Sequence, residues 1–323
     1  MTDKPGIQTE NSNNQAADNS NKILVALDGS ERSMKTVEYL YDFEPFRNKE
    51  IVLFHIFSDV PESYWDMGKT PFTRNGAAQI KGWGAQRKIT MEEFMERSKS
   101  MLMSAGYKPE AITINIKERN KGIARDIIAE ASKGYFALLL RRRGYGALLH
   151  MIMGSTTTKI VEKLYATPVL VAGLNKIRHS ILVGLDGSEG SERAVEFTAR
   201  TVGKSHCKIV LCTVLRDFDI YAGDRNNTDI SDCVDCVFDD VETSMRRASQ
   251  ILQKHGVKAS DIERKIITGV GTRAGAIAKA AQEEKCDTIV LGRRGLSNVN
   301  DFDIGRVSWK VIHAARDMTI WII

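Results

Sequence analysis

The stretch ILVALDGSE at residues 23–31 decides the fold of this chain, because ILVGLDGSE returns at residues 181–189. In both places a mainly aliphatic run precedes Asp-Gly-Ser, a pattern that predicts a buried strand ending in a tight turn. The two stretches are 158 residues apart, whereas solenoid repeats have a period of about 20–50 residues. The sequence therefore predicts two copies of one domain, and each candidate residue has a counterpart for comparison.

Short apolar runs alternate with segments of helical spacing along each copy. Such runs are typical of parallel strands buried on both faces, and the alternation predicts right-handed crossovers. The predicted fold class is α/β, with two tandem doubly wound, Rossmann-like domains. Each is expected to be a five-stranded parallel sheet with helices on both faces. The predicted boundaries are a disordered polar tail at 1–20, a first domain at 21–173 and a second at 179–323.

The longest connection of each copy is predicted to be irregular. Residues 58–89 contain prolines and glycines, so we expect an insertion there, followed by a helix that a capping box opens at Thr90. In the second copy we expect an insertion leading into a helix over residues 238–254. Cys233 and Cys236 fall in that insertion. Their spacing fits a redox or zinc pair, but a tetrahedral site needs further ligands.

The charge, hydropathy and cysteine content of the chain indicate which partners and which cellular compartment to expect. A net charge of +5 on 323 residues gives no reason to expect a nucleic-acid partner. No apolar run reaches the roughly 18–20 residues of a membrane crossing, so no membrane partner is expected. Five cysteines, an odd number, favour a reducing compartment, and we expect a cytoplasmic protein. Catalytic nucleophile motifs and the Gly-x4-Gly-Lys loop are absent, so the sequence favours a binding protein and leaves an enzyme open.

Asp28 and Asp186 occupy equivalent positions directly after the first strand of each copy. Ligands of open parallel sheets bind beyond the carboxyl ends of the strands. A carboxylate here can therefore accept hydrogen bonds from a ribose hydroxyl or an adenine amine. The alternative is structural, because Asp is also a favoured N-cap of the helix that follows. Both interpretations stay open.

A glycine-rich pattern follows the fourth strand of each copy. The second copy has GRRG at 292–295, nine further residues, and GRVS at 305–308; the first has RRRG at 141–144, nine residues, and GSTT at 154–157. Glycines let backbone amides approach an anion, and the last glycine opens a helix whose N-terminus favours phosphate. The hydroxyl side chains either bind phosphate or cap the helix. The arginines at 141–143 either contact phosphate or lie on a solvated face.

The Asp-Gly-Ser turn together with this spacing resembles the universal stress protein family, over residues 22–323. The family signature is glycine, two residues, glycine, nine residues, glycine, then Ser or Thr. The resemblance implies an adenine-nucleotide alpha hydrolase-like fold and, in those members that bind a nucleotide, ATP. It also implies that fifth strands of two domains pair, which places Val169–Val171 beside Ile320–Ile322 within this chain. A further homodimer stays open.

The nucleotide-binding pattern of the family, carried over to this sequence, implies twelve candidate site residues. In the first copy they are Asp28, Ile56, Gly144, Gly154, Ser155 and Thr156, and in the second they are Asp186, Val214, Gly292, Gly295, Gly305 and Ser308. The Asp and the strand-two residue are expected at adenine and ribose, and the loop residues at the phosphates.

Both copies depart from the family pattern. Arg141 replaces the first glycine of the first copy, and Arg306 replaces the first hydroxyl residue of the second. Asp301 and Asp303 lie in the second loop, where they weaken phosphate binding unless a metal such as Mg²⁺ or an arginine offsets their charge. Three functions stay open. They are a stress-response protein that binds ATP or another adenine nucleotide in one or both copies, an interaction protein with degenerate pockets, and a slow ATP hydrolase.

Overall fold

A computed structural model of the chain describes residues 19–58, 74–142, 153–215, 228–296 and 303–323, with the backbone alone at 74–83 and 228–235. The strands are β1 (Lys22–Ala26), β2 (Glu50–Phe57), β3 (Ile112–Glu118), β4 (Ala137–Arg141), β5 (Val169–Ala172), β6 (Ser180–Leu185), β7 (Lys208–Val214), β8 (Ile262–Ile267), β9 (Thr288–Leu291) and β10 (Thr319–Ile322). The helices are α1 (Glu31–Asp42), α2 (Arg74–Ser104), α3 (Ile123–Ala131), α4 (Ser155–Lys163), α5 (Glu189–Val202), α6 (Thr228–Lys254), α7 (Arg273–Glu283) and α8 (Arg306–Ala314).

The strands form one sheet in the order β3-β2-β1-β4-β5-β10-β9-β6-β7-β8. Neighbouring strands are parallel within the N-terminal half (residues 19–172) and within the C-terminal half (residues 178–323). Strands β5 and β10 join the halves antiparallel, in the pairing expected for residues 169–171 and 320–322. The predicted α/β fold in two tandem copies is confirmed, and the two sheets are continuous. Strand order reverses beside β1 and β6, where open α/β sheets bind their ligands.

Helices cover both faces of the sheet. Apart from the edge strands β3 and β8, the strands bury their side chains on both faces, which is why they are apolar runs in the sequence. Helices α1, α2, α5 and α6 pack on one face, and α3, α4, α7 and α8 pack on the other. In β1, Val25 lies in the first of these two apolar cores and Leu24 in the second. The carboxyl ends of the central strands therefore open between two helix layers.

An aromatic cluster fills the join between the halves. In β10, Trp321 lies opposite Leu170 of β5, and its indole is fully buried. The indole packs edge-on against Phe43 of the N-terminal half and Phe197 of the C-terminal half, with ring centroids 5.6 Å apart in both pairs. Its Nε1 donates to the Tyr39 hydroxyl at 3.2 Å. The two halves thus share one apolar core beneath the β5–β10 pair.

The prediction that a helix begins at Thr90 is wrong. Helix α2 already begins at Arg74, and the Thr90 hydroxyl donates to the Gln86 carbonyl inside it. Residues 74–89 are therefore helical rather than part of an irregular insertion. No proline interrupts α2, and an isolated glycine in a helix costs only about 1 kcal/mol relative to Ala. The rest of the predicted insertion, residues 59–73, lies outside the described residues.

Two further predictions need correction. Helix α6 begins at Thr228 rather than near residue 238, so Cys233 and Cys236 lie within a helix. Asn19, which the sequence assigns to the disordered tail, is buried and donates to the Lys133 carbonyl at 3.1 Å. The remainder of that tail, residues 1–18, lies outside the described part. Among the helices that the structure describes, none is long and apolar enough to cross a membrane.

Replacing Trp321 with Ala is expected to lower the free energy of unfolding by about 3–5 kcal/mol, because it leaves a cavity where both halves meet. Trp321→Phe keeps much of the ring and is expected to cost less. Urea unfolding followed by circular dichroism measures both. Trp309→Ala, at a half-buried position on α8, is the matched control. Equal stability of the two alanine variants would show that the cluster does not hold the halves together.

Candidate functional site

Asp28 and Asp186 make the same turn after β1 and β6. Each carboxylate Oδ1 accepts from the backbone N–H at 3.0 Å and from the hydroxyl at 2.6 Å of the serine two residues later, Ser30 or Ser188. The intervening glycines have φ of 77° and 76°, a left-handed conformation that glycine adopts without strain. The two halves therefore present a carboxylate in the same way at the carboxyl end of their first strand.

The interpretation of these aspartates as helix N-caps is wrong. The N-caps of α1 and α5 are Ser30 and Ser188, whose hydroxyls accept from the N–H of Ser33 and Ser191 at 3.2 Å. The aspartates orient the capping serines and are themselves exposed. Because a carboxylate has about four lone-pair positions, each can accept further hydrogen bonds from a ligand.

Helices α4 and α8 begin differently from α1, α5 and α7. The latter three have a Ser or Thr side-chain cap, whereas Gly154 and Gly305 precede α4 and α8 and provide none. The N–H of each glycine donates at 2.8 Å to the carbonyl of Arg142 or Arg293, which fixes the glycine against the end of the preceding strand. The first-turn amides of both helices thus have no side-chain cap in the described structure, and such amides favour an anion.

The hydroxyl residues in these first turns differ in what they contact. Ser155 is exposed and Thr156 half-buried at the start of α4. Ser308 is buried, and its hydroxyl donates to the Gly292 carbonyl at 2.8 Å. Its counterpart Thr157 makes the same bond to the Arg141 carbonyl. In this structure the Ser308 proton is engaged at the end of β9, and the contact of Ser308 with phosphate stays a prediction.

The three glycines of the C-terminal half lie against neighbouring backbone or against Asp186. A Cβ on Gly292 would be 2.5 Å from the carbonyl carbon of Gly190, at the start of α5. A Cβ on Gly295 would be 2.3 Å from Asp186 Oδ2, and one on Gly305 would be 3.1 Å from the Arg293 carbonyl oxygen. Backbone, carboxylate and helix start are thus brought together in this half, as the sequence predicts.

Arginines replace two of these packed glycines in the N-terminal half. Arg32 and Arg141 occupy the positions equivalent to Gly190 and Gly292. Burial lowers the pKa of Arg141, while the charges of Glu38 and Asp28 raise it and that of Arg32 lowers it. Among the described atoms, the buried Nη1 of Arg141 has no hydrogen-bond partner. The predicted site residue Gly144 lies outside the described residues.

The predicted strand-two residues are core side chains. Ile56 and Val214 are 6% and 8% exposed and pack in the apolar core beneath α3, α4, α7 and α8. They are therefore in place to form an apolar floor near the carboxyl ends of β2 and β7, and they do not project into solvent.

Arg142 and Arg293 cross the join instead of facing the glycine loops. Both are buried. Arg142 donates to the carbonyls of Ile312, Ala315 and Met318 around the end of α8, the latter two at 3.1 and 3.0 Å. Arg293 donates to the Val161 carbonyl in α4 at 2.5 Å, and burial lowers its pKa to about 10. For Arg142 the sequence interpretations of phosphate contact and of a solvated surface are both wrong. The presence of an arginine at this equivalent position in both halves is the sequence feature that could have indicated a shared structural function.

Acidic residues in the C-terminal loop are offset by the other half of the chain. Asp301 lies outside the described residues, whereas Asp303 accepts hydrogen bonds from Lys163, the last residue of α4, and from Tyr165 just beyond it. Within the described ranges, no group of three or more His, Cys, Asp or Glu side chains could hold a metal ion. The described side chains therefore do not fit a protein-bound Mg²⁺.

Comparisons with known proteins bear on the family and the fold of the chain. The sequence model of the Universal stress protein family matches residues 19–172 and again residues 178–320. A universal stress protein of Mycolicibacterium smegmatis is 27% identical over 176 residues, a match that spans 53% of this chain and only 56% of that protein.

Solved structures that resemble nearly all of the chain include the following two. One is a universal stress protein from Archaeoglobus fulgidus, with a TM-score of 0.61, 21% identity, and coverage of 94% of this chain and 98% of that one. The other is a functionally unknown protein from Pseudomonas aeruginosa PAO1, with a TM-score of 0.51, 15% identity, and coverage of 96% and 94%. Because both sequence identities are below 25%, these structural similarities support the fold alone.

Arg142→Ala is expected to lower the free energy of unfolding by about 3 kcal/mol without any ligand, because hydrogen bonds to a charged group contribute about 1.5–3 kcal/mol each. Arg141→Ala is the neighbouring control, with an expected change under about 1 kcal/mol, because this half-buried side chain has no hydrogen bond at its buried Nη1 to lose among the described atoms. Chemical unfolding of both variants measures the difference. If Arg142→Ala is as stable as Arg141→Ala, the contacts with α8 do not hold the join.

Proposed function

This chain belongs to the universal stress protein family, and on that premise we propose that it binds an adenine nucleotide, ATP in the first instance, in its C-terminal half. The stress-response function is part of this proposal. The phosphates would contact the first-turn amides of α8 and the backbone of Gly292–Gly295. Asp186 would accept from the ribose or the adenine, above the apolar floor that includes Val214.

The close approach of Gly295 to Asp186 carries the proposal. Any side chain at residue 295 would occupy the place of the Asp186 carboxylate, since a Cβ there would be 2.3 Å from Oδ2. This glycine therefore allows three groups to lie next to one another. They are the exposed Asp186 carboxylate, the backbone of the glycine loop and the uncapped start of α8. These three groups are complementary to a nucleotide, because its sugar and base donate hydrogen bonds while its phosphates accept them.

The N-terminal half supports weaker binding or none. Its uncapped α4 start, Ser155 and Thr156 favour an anion. Arg32 and Arg141, however, place two long side chains where the other half has glycines. The half-buried Arg141 beside Asp28 favours the competing proposal for this half, a degenerate pocket that acts through a protein partner.

Magnesium enters the proposal only as an ion carried by the nucleotide's phosphates, because the described residues form no acidic cluster of their own. The proposed location is the cytoplasm, where thiols stay reduced. The free cysteines Cys207, Cys212, Cys236 and Cys286 support it. Slow ATP hydrolysis is a separate possibility, and assaying phosphate release beside binding tests it.

Gly305→Asp is expected to weaken ATP binding by about tenfold or more, because the new carboxylate lies where the phosphates would bind. Gly154→Asp is the matched variant in the other half and is expected to leave the affinity nearly unchanged. Both glycines have extended backbone with negative φ, and Asp is a good N-cap, so both variants should fold. Isothermal titration with ATP and AMP, with and without Mg²⁺, measures the effect.

Two results of this titration would contradict the proposal. Undiminished binding by Gly305→Asp, with loss in Gly154→Asp, would assign the site to the N-terminal half. No binding of either nucleotide to the unmodified protein at about millimolar concentration would favour the interaction protein, since an ordinary nucleotide site binds more tightly than that.

Gly295→Ala tests the approach to Asp186 more finely. The added methyl should displace the Asp186 carboxylate and disturb its hydrogen bonds with Ser188, so we expect weaker ATP binding and a loss of stability of about 1–2 kcal/mol. Gly271→Ala is the control, because a Cβ at Gly271 meets nothing within 4 Å. Thermal unfolding and ATP titration of both variants give the two quantities. Unchanged affinity in Gly295→Ala would remove Asp186 from the proposed site.

A further inference from the structure

The end of α4 contacts the C-terminal glycine loop from the other half of the chain. We define that loop here by its described residues, Gly292–Gly295 and Asp303–Gly305. Lys163, the last residue of α4, and Tyr165 both donate hydrogen bonds to the Asp303 carboxylate. These bonds lower the pKa of Asp303, so it is held as an anion whose charge Lys163 offsets. One flank of the loop is therefore fixed by the N-terminal half.

Tyr165 also contacts the opposite flank of the same loop. The guanidinium carbons of Arg293 and Arg294 lie 5.3 and 6.0 Å from the centre of its ring. Arg293 is anchored in addition by its 2.5 Å bond to the Val161 carbonyl. A single exposed tyrosine thus holds an arginine pair through its ring face and a carboxylate through its hydroxyl. Both flanks of the loop converge on it.

The sequence of the opposite half does not provide the same side chains at the equivalent positions. Ala314 and Arg316 occupy the positions equivalent to Lys163 and Tyr165, and Ile152 occupies the position of Asp303. Ala314 has no charge to offer, and Arg316 cannot donate to an aliphatic side chain. The contact is therefore specific to the loop that the proposed function assigns to the nucleotide.

We propose that Tyr165 and Lys163 of the N-terminal half are positioning residues for the ligand site of the C-terminal half, which is incomplete without them. They hold Arg293–Gly295 and Asp303 at the separation that leaves the start of α8 open to phosphate. Lys163 also offsets the Asp303 charge that would otherwise repel the phosphates. This inference rests on the proposed nucleotide site, and it assigns the N-terminal half a function in binding without requiring it to hold a nucleotide.

Three substitutions test the proposal by ATP titration. Tyr165→Ala removes both contacts and is expected to weaken ATP binding about tenfold, whereas Tyr165→Phe keeps the ring and is expected to weaken it about threefold. Adenosine affinity should change less than twofold, because the loop is proposed to contact phosphate. Arg316→Ala, at the equivalent exposed position of the other half, is the control and should match the unmodified protein. Melting temperatures should stay unchanged, since Tyr165 is 51% exposed.

Hydrogen exchange of the peptides that contain Gly292–Gly295 and Gly305 provides a second measurement that needs no ligand. Faster exchange in Tyr165→Ala but not in Arg316→Ala would support the proposal. Equal ATP affinity in Tyr165→Ala and the unmodified protein would overturn it, as would an equal loss for ATP and adenosine. If the unmodified protein binds no nucleotide, the proposed function fails. The exchange rates alone then decide whether Tyr165 holds the loop, and unchanged rates would overturn that as well.

Discussion

The antiparallel pairing of β5 with β10 is the constraint on which the rest of the structure depends. It turns two five-stranded sheets into one and brings Trp321 against aromatic side chains from both halves. It also brings the end of each last helix within reach of the other half. The bonds of Arg142 to the carbonyls at the end of α8, and of Arg293 to Val161, exist because the two fifth strands are neighbours. Each glycine loop therefore contacts the opposite half of the chain as well as its own half.

The two halves share a backbone design and differ in the side chains that decide what it can bind. The Asp-Ser turns have the same hydrogen-bond lengths, and Thr157 and Ser308 make equivalent bonds to the ends of β4 and β9. The side chains differ at several positions around the loops, above all Arg141 in place of Gly292. Glycine allows two backbone segments to approach closely. Arginine instead adds a large side chain with a positive charge, which requires space and a hydrogen-bond acceptor. This replacement of glycine by arginine is the reason why the proposed nucleotide site lies in the C-terminal half and not in the N-terminal half.

Most strands could be predicted from the sequence because a strand buried on both faces is a continuous apolar run, as at residues 23–27 and 181–185. Helix α2 could not be predicted over its first turns, because glycines near Arg74 are typical of loops and turns in a sequence. For the site, local turn chemistry put Asp28 and Asp186 at the right end of the sheet. The partners of Arg142 and Tyr165 could not be predicted, because they lie in the other half of the chain and depend on the join.

The β5–β10 pair has a further consequence for any shortened form of this chain. A fragment that ends near residue 172 would leave β5 with a row of unpaired backbone N–H and C=O groups beside an apolar surface that Trp321 now covers. Open strand edges of this kind recruit other strands and lead to self-association. Neither half is thus a ready-made module for fusion or transplantation. Because both domains lie in one polypeptide, every β5 edge is made together with one β10 edge, and each supplies the hydrogen-bond partners of the other.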